Sequence, residues 1–188
     1  MFHVEQKKEQ NYNIMKLEEV KQLIRSIPNF PIDGILFRDL TTAMLNHDAL
    51  VCMKDELVKL YRGKGITKVV GIESRGFIMA PMLAAEIGAG FVPIRKPGKL
   101  PAEVIEEEYG KEYGKDKIQI HKDALNENDV VLLHDDLLAT GGTMEAAIKL
   151  CKKCGVKKVY INFLVELDAL EGRKLLEQYG EITALMHY

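Results

Sequence analysis

The sequence predicts an α/β fold with a central, mostly parallel sheet flanked by helices, and three observations lead there. Short β-branched or apolar runs alternate along the chain with segments of helical periodicity, the pattern of strands joined by crossover helices. The most apolar of these runs, Val130-Val131-Leu132-Leu133-His134, reads as a buried and therefore central strand. Hydrophobic residues make up 47% of the 188 residues, enough for one sizeable core in a chain of single-domain length.

Taken in order, residues 1–14 are polar and weakly periodic and read as a tail, with a single domain over 15–188. Leu17, Val20, Ile24 and Ile27 recur at three- and four-residue spacing, which predicts a helix over Lys16–Ser26 stopped by Pro28. Pro28–Thr42 holds two prolines and a glycine and predicts no regular element. Leu50, Met53, Leu57 and Leu60 mark a second helix closed by Gly63. Strands follow at Lys68–Ile72 and Phe91–Arg95, separated by a helix over Phe77–Ile87 that Gly88 ends and Pro81 interrupts. Ile118–His121, Val130–His134, Lys158–Val165 and Ile182–Met186 supply further strands, and Met144–Lys153 a helix ended by Gly155. Residues 96–117 stand apart as 22 residues of scattered charge, open to two readings: a solvated surface excursion or an active-site lid.

Composition narrows the function classes. Lys plus Arg is 26 and Asp plus Glu 28, a net charge of −2, which disfavours a nucleic-acid protein relying on a broad basic face. No apolar run approaches the ~18 residues of a membrane helix, and the polar start lacks a signal h-region. Three cysteines, an odd number, fit a reducing compartment, hence a cytoplasmic protein. Cys151-Lys152-Lys153-Cys154 is a lone C-x-x-C with no second pair and reads as two helix thiols.

The chemistry concentrates after the central strand, where ligands bind in open parallel sheets. Asp135-Asp136 is followed by Leu137-Leu138 and then by the small residues Ala139-Thr140-Gly141-Gly142-Thr143, with a helix after them. Such a turn folds into a nest of backbone N–H groups for a phosphate, reinforced by two hydroxyls and a helix N-terminus. The carboxylates cannot serve the same phosphate; they suit vicinal hydroxyls or magnesium. Together the two halves predict a sugar-phosphate site. Neither a Walker A loop nor a dinucleotide fingerprint is present.

Asp135–Thr143 resembles the phosphoribosyl-diphosphate (PRPP) motif of the type I phosphoribosyltransferases. Ile27–Pro31, Gly34–Asp39, Glu73–Phe77, Arg95–Pro101, Glu112–Gly114, Leu164–Leu167 and Leu170–Arg173 are similar to its adenine-specific branch, in the same order. The resemblance implies the fold of that family, with an N-terminal hood over about 16–42 and a flexible lid loop over about 96–117. It implies transfer of a phosphoribosyl group from PRPP to adenine, giving AMP and pyrophosphate, with Mg2+ held mainly by PRPP, in a homodimer that binds neither nucleic acid nor membrane. Asp135 and Asp136 then take the ribose hydroxyls, and Ala139, Thr140, Gly141, Gly142 and Thr143 the 5′-phosphate. Glu73, Ser74 and Arg75 form the pyrophosphate loop, with a non-proline cis peptide expected at Glu73–Ser74. Arg95, Lys96 and Lys99, which have no acid near them in sequence until Glu103, suit the leaving pyrophosphate. Leu36 and Arg38 read the base through main-chain groups while Phe37 stacks on it, or Phe37 plugs the core under a loop. Glu112 and Tyr113 are the catalytic candidates, Glu112 taking or steering the N9 proton. His134 departs from the Val or Ile usual in the family and reads as a partly buried, satisfied histidine. The rival readings are a transferase for a 6-oxo purine and a non-catalytic PRPP or purine sensor.

Overall fold

The computed structural model describes residues 15–111 and 114–188, and the chain divides into two compact units, one ending at Cys52 and the other spanning Met53–Tyr188.

In the first unit, α1 (Leu17–Leu23) is shorter than its periodicity predicts. At Ile24 the backbone turns extended and becomes β1 (Arg25–Pro28), which pairs antiparallel with β2 (Leu36–Asp39). The segment expected to be irregular is therefore a hairpin. Its loop is closed by Asn29 and Gly34, both at positive φ (58° and 85°), with Gly34 N donating to Asn29 Oδ1 at 2.9 Å. Such a long connection leaves no two-residue turn signal in the sequence. Asp39 ends the hairpin: hydrogen bonds from Thr41 and then Arg25 hold its carboxyl at about 2. After α2 (Thr41–Met44), Asn46 Oδ1 accepts from Ala49 N at 3.0 Å and caps α3 (His47–Tyr61), which is why that helix begins ahead of Leu50.

The second unit holds the parallel sheet. Its members are β3 (Lys68–Ile72), β4 (Gly90–Ile94), β7 (Val130–Leu138), β8 (Lys158–Glu166) and β9 (Glu181–His187), in the order β4-β3-β7-β8-β9. All four pairings are parallel, and β7 is central as predicted. Helix α4 (Gly76–Ile87) accommodates Pro81 without breaking and ends on Gly88 at φ 76°. Helix α5 (Gly142–Lys153) contributes Met144, Ile148, Leu150 and Cys151 to a core shared with Val131 and Leu133 of β7 and Ile161 and Phe163 of β8. The short α6 (Gly172–Leu176) precedes β9.

The predicted loop over 96–117 is largely a second hairpin, β5 (Val104–Lys111) against β6 (Gly114–His121). Its alternation is hidden in sequence by Glu106-Glu107-Glu108. Glu107 is half-buried because Lys153 of α5 reaches it at 2.6 Å, so a charged residue occupies a position where the period-two pattern calls for an apolar one.

Candidate active site

Strand β7 does not stop at His134 but continues through the acidic pair, held by β8 at Asp135↔Phe163 and Leu137↔Val165. The two carboxylates thus project from a rigid central strand. Beyond it, Asp135, Leu137 to Met144 and Phe163 line one depression, so the predicted phosphate turn and one carboxylate of the acidic pair meet there, while Asp136 is not among its lining residues. Gly141 caps α5 at φ 87°, a conformation that favours glycine, and Gly142 and Thr143 already belong to the first turn. Their N–H groups fall among the four that a helix leaves without intrahelical partners. The turn is braced from behind by Gly172: a Cβ there would lie 2.1 Å from Ala139 O and 3.0 Å from Gly141 N.

Asp136 is 3% exposed and Asp135 half-buried, with Asp136 N donating to Asp135 Oδ1 at 2.9 Å. Burial raises the Asp135 carboxyl well above its ordinary range, and the neighbouring Asp136 charge adds to it. Burial also raises Asp136, opposed by Arg75. Arg75 Nε lies 2.8 Å from Asp136 Oδ2, a charge contact without hydrogen-bond alignment, since that buried oxygen has no hydrogen-bond partner. Arg75 gets there because Gly76 lets the start of α4 close on β7: a Cβ at Gly76 would lie 2.9 Å from His134 O.

The Glu73–Ser74 peptide is cis, as expected. The cations expected to meet pyrophosphate are not isolated, however; their acids come from elsewhere in the chain. Glu73 accepts from Lys99 Nζ at 2.5 Å, from Lys96 N at 2.9 Å and from Arg95 Nε at 3.3 Å. Burial works to raise its carboxyl, but Lys99 and the Lys96 amide outweigh that and hold it lowered. Lys96 Nζ instead reaches Asp116 of β6 and, at 3.2 Å, the hydroxyl of Tyr109. Asp116 and Tyr109 were not legible as partners of Lys96, because the hairpin that presents them was not.

In the first unit, Leu36, Phe37 and Arg38 lie on β2. Leu36 is exposed, Phe37 meets Phe30 edge-on at 5.1 Å between ring centroids, and Arg38 donates to Ser26 Oγ. Glu112 and Tyr113 lie outside the described residues. His134 is fully buried rather than partly so, and only half satisfied: its Nδ1 is 2.7 Å from Asn162 Oδ1, while its buried Nε2 has no hydrogen-bond partner among the described residues. Cys151 is buried, and burial pushes its thiol far up, which fits a structural thiol.

Residues 48–180 match the phosphoribosyl transferase domain. An adenine phosphoribosyltransferase of Bacteroides fragilis is 63% identical over 169 residues, covering 90% of this chain and 95% of that protein. The chain belongs to the adenine phosphoribosyltransferase family. The enzyme of that name from Phocaeicola vulgatus is 64% identical over 92% of this chain and 99% of its own length. Among solved structures, the adenine phosphoribosyltransferase of Thermoanaerobacter pseudethanolicus superposes with a TM-score of 0.88 at 45% identity, over 92% of this chain and 99% of that one. The Giardia lamblia enzyme, complexed with 9-deazaadenine, gives 0.89 at 44% identity over 93% and 98%. The fold is thus the mostly parallel α/β sheet that the alternating strands and helices predicted, and the type I fold that the resemblance implied. Among the described residues no helix is long and apolar enough to cross a membrane.

Proposed function

We propose that this chain transfers the 5-phosphoribosyl group of PRPP to N9 of adenine, giving AMP and pyrophosphate. The observation that carries the reading is Asp135, with Asp136 buried beside it, opening onto the glycine turn at the head of α5, in a chain so similar to enzymes of that name. Ionised carboxylates are pure acceptors and suit the ribose 2′- and 3′-hydroxyls, while the turn from Ala139 to Thr143 holds the 5′-phosphate. In the reaction the C1′–O bond to the diphosphate breaks with its electron pair leaving on pyrophosphate, and the N9–C1′ bond forms. Arg75, Arg95, Lys96 and Lys99 balance the charge that grows on the leaving group, aligned by Glu73 and the Ser74 peptide. Glu112 accepts the N9 proton, and Tyr113 helps exclude water, which would otherwise hydrolyse PRPP. Main-chain groups of Leu36 and Arg38 distinguish a 6-amino from a 6-oxo purine, and Phe37 stacks on the ring.

Magnesium fits at Asp135, whose hard carboxylate oxygens line the depression and are the kind Mg2+ accepts, while the buried Oδ2 of Asp136 already faces Arg75 at 2.8 Å. When bound with PRPP it would neutralise the diphosphate. We place the enzyme in the cytoplasm as a homodimer whose domain spans 15–188, with a hood over 16–42.

The test is AMP formation from adenine and PRPP with Mg2+, beside hypoxanthine, guanine and xanthine. Turnover with adenine alone is expected. Turnover with a 6-oxo purine instead would overturn the assignment of Leu36–Arg38, and PRPP binding without turnover on any base would make the chain a sensor.

A further inference from the structure

Within the cluster of charges around residues 95–99, Lys96 is set apart. Arg95 and Lys99 share the single carboxylate of Glu73, on the loop after β3. The Lys96 ammonium turns instead to the β5–β6 hairpin. There it meets Asp116, the Tyr109 hydroxyl at 3.2 Å, and the Tyr109 ring with its centroid 5.7 Å away. Tyr109 OH also donates to Asp116 Oδ2 at 3.2 Å, so the three groups close a triangle. The hairpin is held in register for this: Arg95 and Gln119 exchange backbone hydrogen bonds at 2.9 and 2.7 Å. That bridge fixes β6 beside the cationic segment and brings Asp116 to Lys96.

We propose that Asp116 is a built-in competitor for the pyrophosphate site, occupying Lys96 and thereby lowering the affinity of the enzyme for the diphosphate of PRPP and for free pyrophosphate. This rests on the reading of Lys96 as a pyrophosphate cation. An arriving diphosphate must take Lys96 from Asp116 and then lie near that carboxylate, so the exchange subtracts from binding on both counts. Both side chains are only partly shielded, at 34% and 23% exposure for Lys96 and Asp116, which makes the exchange inexpensive. The advantage lies in product release: a carboxylate tethered to the hairpin re-forms its pair as soon as pyrophosphate loosens. Asp116 is a positioning residue that acts through Lys96.

The experiment is calorimetric titration of the full-length protein with inorganic pyrophosphate at fixed Mg2+. D116N should bind pyrophosphate about three- to fivefold more tightly, the range expected for losing one partly exposed ion pair. Y109F, which removes only the hydroxyl that steadies the pair, should tighten binding less. A lower KM for PRPP and stronger product inhibition should accompany D116N. A purely structural role for Asp116 would weaken binding, so the sign separates the two. Lys96→Met should weaken pyrophosphate binding and abolish the effect of D116N in the double variant. If D116N binds no more tightly, or tightens equally without Lys96, the proposal is wrong. If Lys96→Met leaves pyrophosphate affinity unchanged, or the wild type does not bind pyrophosphate, Lys96 is not a pyrophosphate cation and the underlying site reading falls first.

Discussion

Replacing His134 by valine probes a polar ladder that crosses the interior of the sheet. The register sets His134 of β7 beside Asn162 of β8, and Asn162 beside Thr183 of β9. Asn162 Nδ2 donates to Thr183 Oγ1 at 2.9 Å, so Asn162 Oδ1 faces His134 Nδ1, which is therefore the protonated ring nitrogen. Thr183 Oγ1 also pairs with the Tyr61 hydroxyl, whose ionisation burial pushes up to about 12. His134→Val leaves Asn162 Oδ1 without its donor at a fully buried position, at a cost of ~1–3 kcal/mol. In a chain of this length that lowers Tm by about 2–4 °C per kcal/mol. Removing both partners in His134→Val/Asn162→Val spares the Thr183–Tyr61 pair and should recover much of the loss. The pH dependence is the sharper test. Burial depresses His134 from 6.5 to about 4, so between those values the unfolded chain binds a proton the folded one refuses. Wild-type stability then falls as pH drops through that window, by up to ~3 kcal/mol near pH 4, and the valine variant escapes this penalty. Urea unfolding of both proteins at pH 7.5 and at pH 5 reads the difference, in which every other titrating group cancels. The variant should be the less stable at pH 7.5, and the gap should narrow or reverse at pH 5. A gap independent of pH would refute the assignment of a neutral, buried His134.

Two further outcomes follow from the site. Gly172→Ala puts a methyl 2.1 Å from Ala139 O, which must displace the turn over Ala139–Thr143; since a misplacement near 1 Å costs on the order of 100-fold in rate, kcat/KM for PRPP should fall roughly ten- to a hundredfold, while circular dichroism stays native. Burial raises both carboxyls of the Asp135–Asp136 pair, with the Asp136 charge adding to the rise at Asp135 and Arg75 opposing it at Asp136, so without ligand its contribution to stability is greatest when protonated and is lost as pH rises through the raised values. Because ribose hydroxyls and Mg2+ favour the ionised pair, binding of Mg–PRPP at a pH where the raised pair still holds a proton should release it, read as a calorimetric heat that varies with buffer ionisation enthalpy and shrinks in Asp135→Asn.

What was legible in the sequence was what is local in the chain. Val130–Leu133 announced a central strand, and Asp135–Thr143 the carboxylates and glycine turn beyond it, because strand, carboxylates, turn and helix start follow one another within a few residues. Both hairpins were missed for the complementary reason. β1 and β2 are separated by a loop without a tight-turn signature, and β5 hides its alternation because Glu107 is satisfied by Lys153 on a helix more than forty residues away. The charge state of the site was illegible on the same grounds. Arg95, Lys96 and Lys99 looked unopposed because the nearest acid in sequence is Glu103, yet their partners are Glu73 and Asp116. Those pairings depend on β3 lying beside β4 and on Gln119 meeting Arg95, facts of topology that no local window contains. A motif therefore proposes which residues meet a ligand, but affinity depends on the counter-charges the fold brings to the same residues; here each of these cations already faces a carboxylate, so on the proposed reading a phosphate must win it from one.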